Sequence, residues 1–277
     1  MRYPSVLSIA GSDSGGGAGI QADIKAISAT GSYAACAITA ITAQNTLGVK
    51  EVFPVPVPVI CSQIRAVLED ITIDAVKIGM LYSADAIDSV AGTLSEFESR
   101  SIVLDPVMVS TSGHRLIEED AVRMLVCRLF PLCRVITPNI PEAEALTGMK
   151  ICSSSDLRKV AEALFELART KGKNPCLSIL LKGGHLESDC LLDLFFNAET
   201  GQFIEFSKPR TDTVNTHGTG CTLSSALASF LAQGKELDEA VRLAETYISK
   251  AISSAVDYET GHGHGPVNHF YGQTVKL

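Results

Sequence analysis

Apolar and polar positions alternate along this chain in two recurring patterns. Short continuous apolar runs are typical of buried strands, whereas apolar residues three and four positions apart are typical of amphipathic helices. In the segment 59–71, for example, Ile60, Ile64, Val67 and Leu68 share one helical face. The predicted strands are 6–11, 34–42, 75–81, 101–107, 134–138, 177–184, 190–197 and 202–210. The predicted helices are 18–31, 59–71, 83–97, 118–130, 141–148, 155–172, 222–234 and 238–255.

The order of these elements predicts an α/β fold. Strands and helices alternate almost throughout, and the strands are mostly apolar without interruption, which favours a mostly parallel sheet with helices on both faces. The stretch "AETG" at 198–201 indicates a hairpin between the last two strands. Since no flexible linker or charge run divides the 277 residues, we expect a single domain over 1–277.

Composition narrows the class of protein. A hydrophobic content of 46% with 19% charged residues is that of an ordinary globular chain. The net charge of −8, without a basic cluster, argues against a nucleic-acid partner. The chain shows neither an export signal nor an apolar stretch of membrane-spanning length, so we expect a cytoplasmic protein without a membrane partner. The eight cysteines lack zinc-site spacing and are interpreted as reduced thiols.

Two loops near the N-terminus are candidates for ligand binding. "GSDSGGGAGIQAD" at 11–23 matches neither a Walker A loop nor a dinucleotide fingerprint, but its glycines would let a ligand approach the backbone, with Asp23 within reach. A plain flexible connection is the alternative. In "TAQNTLG", Gln44 offers a donor and an acceptor that suit the edge of a heteroaromatic base. Asn45 and Gly48 would equally suit a simple turn.

Carboxylates follow two neighbouring predicted strands. Asp105 ends one strand, and Asn139 and Glu142 come directly after the next. Either carboxylate alone could be a helix cap. Two at neighbouring strand ends are better explained as a Mg²⁺ site, because Mg²⁺ prefers a few carboxylates together with phosphate oxygens and water.

The strongest candidate for chemistry is the turn "THGTGCT" before a predicted helix. Gly218, Thr219, Gly220 and Cys221 can present successive N–H groups to an anion, with the helix dipole behind them. A tight connection with a small buried thiol is the alternative. Lys182, at the end of a buried strand, would neutralise phosphate charge, or else form an ordinary salt bridge.

Three histidines lie in the C-terminal stretch "GHGHGPVNHF", at positions 262, 264 and 269. Their spacing alone could suggest a metal site, but neither a carboxylate nor a cysteine accompanies them. We therefore expect a glycine-rich loop that packs back onto the domain.

These motifs together resemble those of the hydroxymethylpyrimidine/phosphomethylpyrimidine kinases of thiamine biosynthesis, in the ribokinase superfamily. The "GTGC" turn is the most specific match, because most of the superfamily has aspartate where Cys221 stands. The matching stretches are "GGAGIQADIK", "ITAQNTLGV", "KIGML", "DPVM", "TPNIPEAEALTG", "LKGGHL", "NTHGTGCTLSSALA" and "GHGHGPVNHF".

The resemblance implies a ribokinase-like fold and two successive phosphorylations of an aminopyrimidine by ATP with Mg²⁺, carried out by a homodimer. It implies substrate-binding roles for Gly11, Asp23, Gln44, Met80 and Val107. It implies that Asn139, Glu142, Lys182 and Thr216 contact the nucleotide, and that Asp105 and Glu142 hold the metal. Lys182 and the turn of Gly218, Thr219, Gly220 and Cys221 would be catalytic.

Cys221 raises a mechanistic hypothesis. A helix N-terminus can lower the pKa of a thiol, so a thiolate could accept the proton of the substrate hydroxyl. The second transfer needs no base, since a phosphate monoester is already anionic. Two stretches depart from the family pattern: "GSDSGGG", and "VSTSGHRL", which has Thr111 and His114 where many relatives have Lys and Asp.

Three rival functions stay open on the sequence. A pyridoxal kinase would share the fold and the cysteine turn. A thiol hydrolase would use Cys221 as nucleophile and His217 as base, although no arginine follows the cysteine to hold a phosphate. A non-catalytic pyrimidine sensor on the same fold is the third, and it is disfavoured because every expected catalytic position is filled in this chain.

Overall fold

A computed structural model describes residues 2–97, 101–108, 119–184 and 190–272, and in this part of the chain nine strands form one sheet. In chain order they are β1 (Ser5–Asp13), β2 (Tyr33–Asn45), β3 (Gly48–Pro54), β4 (Ala75–Ile78), β5 (Ser101–Leu104), β6 (Val135–Ile136), β7 (Ser178–Leu181), β8 (Cys190–Asn197) and β9 (Gln202–Pro209). The sheet order is β3-β2-β1-β4-β5-β6-β7-β8-β9. The six central strands are parallel, and the outer strands β3, β8 and β9 pair antiparallel.

Helices cover both faces of the sheet. They are α1 (Gly19–Ala29), α2 (Val57–Asp70), α3 (Ala84–Ser95), α4 (Glu119–Met124), α5 (Ile140–Thr147), α6 (Ser154–Thr170), α7 (Thr219–Ala232) and α8 (Leu237–Ser253). Helices α1, α7 and α8 pack on one face, and α2 to α6 pack on the other. None of the helices in the described part of the chain combines the length and apolar character that crossing a membrane requires.

The central strands are apolar throughout because both of their faces are buried. Successive side chains of a strand point to opposite faces of the sheet. Thus Val6 packs with α1, α7 and α8, whereas Leu7 packs in the core on the opposite face. Leu180 and Leu181 of β7 divide in the same way. An uninterrupted apolar run is therefore what each central strand requires.

The structure confirms the predicted α/β fold with its mostly parallel sheet, and it confirms the hairpin of β8 and β9. It adds an antiparallel strand, β3, that the apolar pattern does not indicate. Helix α4 continues into a π-helical turn at Leu125–Leu129 and a 3₁₀ turn at Phe130–Leu132, so the predicted regular helix 118–130 is only partly correct. Residues 111 and 114, which depart from the family pattern, lie outside the described residues.

The C-terminal loop packs back onto the domain, as predicted. Pro266 forms a β-bridge with His217, and the backbone N–H of His264 donates to the carbonyl oxygen of Thr46 at 2.9 Å. Within the described ranges, no cluster of three or more His, Cys, Asp or Glu side chains is arranged to hold a metal ion. Through these two contacts the loop connects the C-terminal end of β2 with the segment that precedes α7.

Candidate active site

The N-terminus of α7 lies against the glycine-rich loop that follows β1. Gly218 caps the helix in a left-handed conformation, with φ +79°, which favours glycine. A Cβ atom at this position would overlap the carbonyl oxygen of Gly17. The turn is closed by Thr219, whose Oγ1 donates to the carbonyl oxygen of Thr216 at 2.6 Å. Two glycine-containing segments far apart in sequence therefore meet backbone to backbone at the start of this helix.

Lys182 and Asp105 form an ion pair beside this helix start. The Nζ of Lys182 lies 2.9 Å from Oδ1 of Asp105, and Thr137 donates to the same oxygen at 3.0 Å. A Cβ on Gly220 would lie 3.1 Å from Nζ of Lys182, so the ammonium group adjoins the first turn of α7. The sequence left two interpretations of Lys182: an ordinary salt bridge, or a lysine beside a bound anion. The structure shows the salt bridge, and it also shows Lys182 next to the candidate anion site.

The ion pair sets the charge state of both partners. Burial raises the pKa of Asp105, but Lys182 and Lys77 oppose it and hold that pKa below its usual range. Burial lowers the pKa of Lys182, but Asp105 and Glu142 outweigh it and raise that pKa. Both groups are therefore charged near neutral pH, and Asp105 can bind a cation.

Glu142 lies close enough to this pair to respond to it. It forms a capping box with Asn139: Oε2 of Glu142 accepts from the Asn139 N–H at 2.8 Å, and Oδ1 of Asn139 accepts from the Glu142 N–H at 3.0 Å. Burial raises the pKa of Glu142 to about 7, and Asp105 adds to the rise. Lys182 and the N–H groups of Asn139 and Met108 oppose it. A cation bound nearby would stabilise the ionised form of this buried carboxylate and so lower its pKa.

Cys221 occupies the first turn of α7 and is half-buried. Burial raises the pKa of its thiol to about 11, and Asp23 and Asp105 add to the rise, while Lys77 and the N–H of Gly19 lower it. The pKa is therefore raised, not lowered as the helix start alone suggested, because burial and two carboxylates outweigh Lys77 and the Gly19 N–H. The thiol is protonated near neutral pH.

Asp23 lies beneath the site rather than at its surface. Its side chain is fully buried, and both of its carboxylate oxygens lie 2.9 Å from Nζ of Lys77. Ser8 and Ser225 also donate to it, at 2.6 and 2.7 Å. Lys77 is itself fully buried, and sequence reasoning missed it. The signal was present, since a lysine inside the apolar run "AVKIGML" requires a partner.

A small apolar cluster lies at the ends of β1, β2 and β4. Met80 packs with Ala40, Val52 and Val107. A Cβ on Gly11 would come within 2.5 Å of the terminal methyl of Met80, so glycine leaves room for that side chain. The structure thus brings together three of the residues expected to contact the pyrimidine, Gly11, Met80 and Val107.

Gln44 lies at the end of β2 and is linked to Asp13 through His217. The amide of Gln44 lies 3.1 Å from Nε2 of His217, and the same ring nitrogen lies 2.9 Å from Oδ2 of Asp13. Asp13 also accepts from the N–H groups of Gly15, Gly17 and Ala18. Asp13 was not identified from the sequence, and nothing in its loop marks it as the residue that orders the glycines.

Comparison with known proteins identifies the family of this chain. A family model described as phosphomethylpyrimidine kinase matches residues 13–268. The chain belongs to the phosphomethylpyrimidine kinase family. It is 47% identical to the hydroxymethylpyrimidine/phosphomethylpyrimidine kinase of Rhizobium meliloti, over 96% of each chain. It is 48% identical to the thiamine biosynthesis bifunctional protein ThiED of Geobacter sulfurreducens over 96% of its own length, and spans 52% of that protein.

The fold is shared with a second kind of kinase. The structure of Bacillus subtilis pyridoxal kinase in an ADP complex superposes with a TM-score of 0.85 at 33% identity, covering 97% of this chain and 98% of that one. The rival hydrolase would use His217 as the base for Cys221, but the ring nitrogen makes other contacts. Nε2 of His217 is directed at Asp13 and Gln44.

Proposed function

We propose that this phosphomethylpyrimidine kinase family member transfers the terminal phosphoryl group of ATP to 4-amino-5-hydroxymethyl-2-methylpyrimidine, and then to the resulting monophosphate. The observation that carries the proposal is the convergence of Lys182 and Asp105 on Gly220, in the first turn of α7. Phosphoryl transfer depends mainly on positioning and on stabilising charge. Positioning and charge stabilisation would both be supplied here, because a lysine, a carboxylate able to bind a cation and a helix N-terminus lie next to one another.

The turn Gly218–Cys221 would hold the phosphoryl group during transfer. The first N–H groups of a helix lack intrahelical partners and, with the helix dipole, favour negative charge. Lys182 stands beside them with its charge intact. We place Asn139 and Thr216 along the path of the nucleotide, at the starts of α5 and α7.

Asp105 and Glu142 would hold Mg²⁺. Both carboxylates are buried, and Asp105 raises the pKa of Glu142, so a divalent cation between them would relieve their repulsion. Two carboxylates leave most of the coordination sphere to phosphate oxygens and water, which is the arrangement that Mg²⁺ prefers. When bound there, Mg²⁺ would neutralise charge on the transferring phosphoryl group.

The aminopyrimidine would bind between Gln44 and the apolar cluster of Gly11, Met80 and Val107. An apolar wall suits the faces of the ring, and the Gln44 amide suits its polar edge. For Asp23 we propose an indirect role. Its ion pair with Lys77 is fully buried, so it would support the floor of the site without touching the ring.

The hydroxyl of the first substrate must lose a proton, and Cys221 is the residue we propose to accept it. Because the thiol is protonated near neutral pH, only a small thiolate fraction would carry the first transfer. The monophosphate is already an anionic nucleophile, with a second pKa of about 6, and needs no base. The thiol would therefore matter chemically in the first transfer alone.

The deciding experiment is an ATP-dependent assay on hydroxymethylpyrimidine that resolves monophosphate and diphosphate products. We expect both to form in sequence and to require Mg²⁺. Absence of phosphorylated pyrimidine would contradict the proposal, and release of phosphate from the added monophosphate without ATP would favour a hydrolase.

Pyridoxal kinase activity is the second candidate, favoured by the likeness to Bacillus subtilis pyridoxal kinase. Turnover of the two substrates in competition decides between them, and we expect the aminopyrimidine to be preferred. The homodimer and the cytoplasmic location expected from the sequence stay predictions. Sedimentation of the purified protein would test the dimer.

A further inference from the structure

His217 lies between two groups that make opposite demands on its ring nitrogen. Nε2 is 2.9 Å from Oδ2 of Asp13, which can only accept, and 3.1 Å from the amide nitrogen of Gln44, which can only donate. One nitrogen cannot donate to the first and accept from the second. The hydrogen-bonding partners around these groups decide which of the two interactions carries the proton.

Asp13 must be the acceptor. Its Oδ1 already accepts from the N–H of Gly15 at 2.8 Å, and its Oδ2 accepts from Gly17 and Ala18 at 3.0 and 2.8 Å. A carboxylate that accepts several backbone N–H groups is stabilised in its ionised form. Nε2 of His217 therefore carries a hydrogen, and it has no lone pair left for an amide N–H of Gln44.

The contact of the Gln44 amide with Thr42 also indicates that the amide oxygen faces His217. The other end of the amide lies 3.2 Å from Oγ1 of Thr42, whose single hydroxyl proton is donated to the carbonyl oxygen of Ser12 at 2.8 Å. That hydroxyl can accept from Gln44 but has no second proton to give it. With the two amide atoms exchanged, so that the oxygen faces His217 and the nitrogen faces Thr42, the Thr42 hydroxyl accepts from the amide. The single Nε2–H of His217 is then shared between Asp13 and the amide oxygen. With its nitrogen towards His217 instead, the amide brings two donors together at one end and leaves its oxygen without a full hydrogen bond at the other.

We propose that His217 is a positioning residue that fixes the Gln44 amide with its oxygen towards the imidazole, and so determines which edge of the substrate ring is accepted. This rests on the proposed function, in which Gln44 binds the pyrimidine. After its contacts with Thr42 and His217, the amide keeps one N–H and one oxygen lone pair for the ligand. These match the ring nitrogen and the neighbouring amine of an aminopyrimidine.

The fixed orientation of the Gln44 amide also determines the orientation in which the substrate ring binds. The amine would face the amide oxygen, on the His217 side, and the ring nitrogen would face the amide N–H. The hydroxymethyl group is attached next to the amine-bearing carbon, so it would point towards His217 and Gly218, where the anion-binding turn begins. A 4-oxo analogue has its donor and acceptor exchanged, and could pair with the same amide only with its hydroxymethyl group directed away from the turn.

The test compares kcat/KM for the aminopyrimidine and its 4-oxo analogue in the wild type, His217→Gln and His217→Phe. Glutamine can still donate to Asp13 and to the Gln44 oxygen, whereas phenylalanine keeps a ring but donates nothing. We expect wild type and His217→Gln to prefer the amino substrate by about tenfold to hundredfold. We expect His217→Phe to lower that preference at least about tenfold, because its Gln44 amide can rotate.

Equal loss of kcat/KM on both substrates in His217→Phe, with the preference unchanged, would overturn the proposal and leave His217 a purely structural role. A second measurement needs neither variant nor activity. Nitrogen-15 NMR of histidine-labelled wild-type protein should show the proton of His217 on Nε2, and a lone pair there would equally overturn the proposal. If wild type phosphorylates neither pyrimidine, the proposed function fails, and the NMR result alone judges the role of His217.

Discussion

Lys77 is a buried lysine whose charge depends on its neighbours, first of all on Asp23. It is fully buried, its ammonium group contacts both carboxylate oxygens of Asp23, and burial alone would lower its pKa. Asp23, Cys221 and Asp105 together outweigh burial and raise that pKa above its usual range. The pair lies behind the substrate site, so its integrity matters to Cys221 as well as to the core.

We predict that Lys77→Met destabilises the protein by about 3–5 kcal/mol, because it leaves the Asp23 carboxylate buried without a countercharge. Urea unfolding measures the loss. The double variant Lys77→Met/Asp23→Asn should recover most of it, since the charge is gone and the amide can still accept from Ser225. Arg65→Met, which breaks an exposed ion pair with Glu96, is the control and should change little. A double variant no more stable than Lys77→Met would contradict the assignment.

The raised pKa of Cys221 gives its proposed role a pH signature. With a pKa of about 11, the thiolate fraction grows about tenfold per pH unit between pH 7 and 9. We predict that kcat/KM for the first phosphorylation rises with that slope, that Cys221→Ser abolishes the slope, and that the second phosphorylation is flat over the same range. Separate single-substrate assays measure both. Parallel profiles for the two transfers would rule the thiol out as the base.

At the scale of elements, α7 offers a matched pair of glycines, one at each end. Gly218 and Gly234 both have φ +79°, but only Gly218 faces another chain segment, the carbonyl of Gly17. We predict that Gly234→Ala costs about 1–2 kcal/mol of stability through backbone strain alone and keeps activity. Gly218→Ala should also lower kcat at least about a hundredfold, because the anion-binding turn must shift. Thermal unfolding and steady-state kinetics separate the two effects, and similar activities in both variants would contradict the role of the turn.

A second buried cluster joins β8, β9 and α8. Lys208 contacts Asp193 at 2.8 Å and Glu245 at 2.7 Å, and Oε1 of Glu245 has no hydrogen-bond partner among the described residues. Burial raises the pKa of Glu245 to about 7, with Asp193 adding to the rise and Lys208 opposing it. The folded state therefore binds more protons than the unfolded state between about pH 4.5 and 7, so this group reduces stability as pH rises through that window.

We predict that Glu245→Gln stabilises the protein by about 1–3 kcal/mol at pH 8 and by little at pH 4.5. Glutamine keeps an acceptor for Lys208 and gains a donor that can reach Asp193. Denaturant unfolding at the two pH values measures the difference. An equal effect at both values would show that the carboxyl does not titrate in this window.

Across the whole molecule, features set by local pattern could be predicted from the sequence, whereas features set by the pairing of distant residues could not. The parallel sheet could be predicted because each central strand is buried on both faces. Strand β3 could not, because its residues are largely exposed and carry no apolar run. Lys77 and Asp23 are 54 positions apart, and His217 and Asp13 are 204 apart, so only the assembled fold shows that they are partners.

The proposed catalytic residues were easier to find than the residues that support them, for a physical reason. Asp105, Lys182 and the turn Gly218–Cys221 follow strands or begin a helix, and the carboxyl ends of parallel strands meet at one edge of a sheet. Local sequence therefore places them. The pKa of Cys221 was predicted in the wrong direction because burial and neighbouring carboxylates are properties of the packed site, whereas a helix start can be read locally.

Assembly of this site from strand ends and a helix start predicts how ligands stabilise the whole molecule. A non-hydrolysable ATP analogue at about 100 times its Kd adds about 2.7 kcal/mol to the stability of the folded state, or about 5–10 °C in Tm. We expect Mg²⁺ to increase that shift in the wild type. Asp105→Asn should keep a shift with nucleotide alone but lose the Mg²⁺-dependent increase, because one of the two proposed ligand carboxylates is gone.

Asp193→Asn is the matched control for this experiment. Asp193, like Asp105, is a buried aspartate paired with one lysine, and its Oδ1 accepts from the Gly183 N–H, a contact that asparagine can keep. We expect this variant to be less stable than the wild type but to retain the full Mg²⁺-dependent shift. Differential scanning fluorimetry with and without Mg²⁺ measures all three proteins. Retention of the shift in Asp105→Asn, or its loss in Asp193→Asn, would move the metal away from the carboxylates at the ends of β5 and β6.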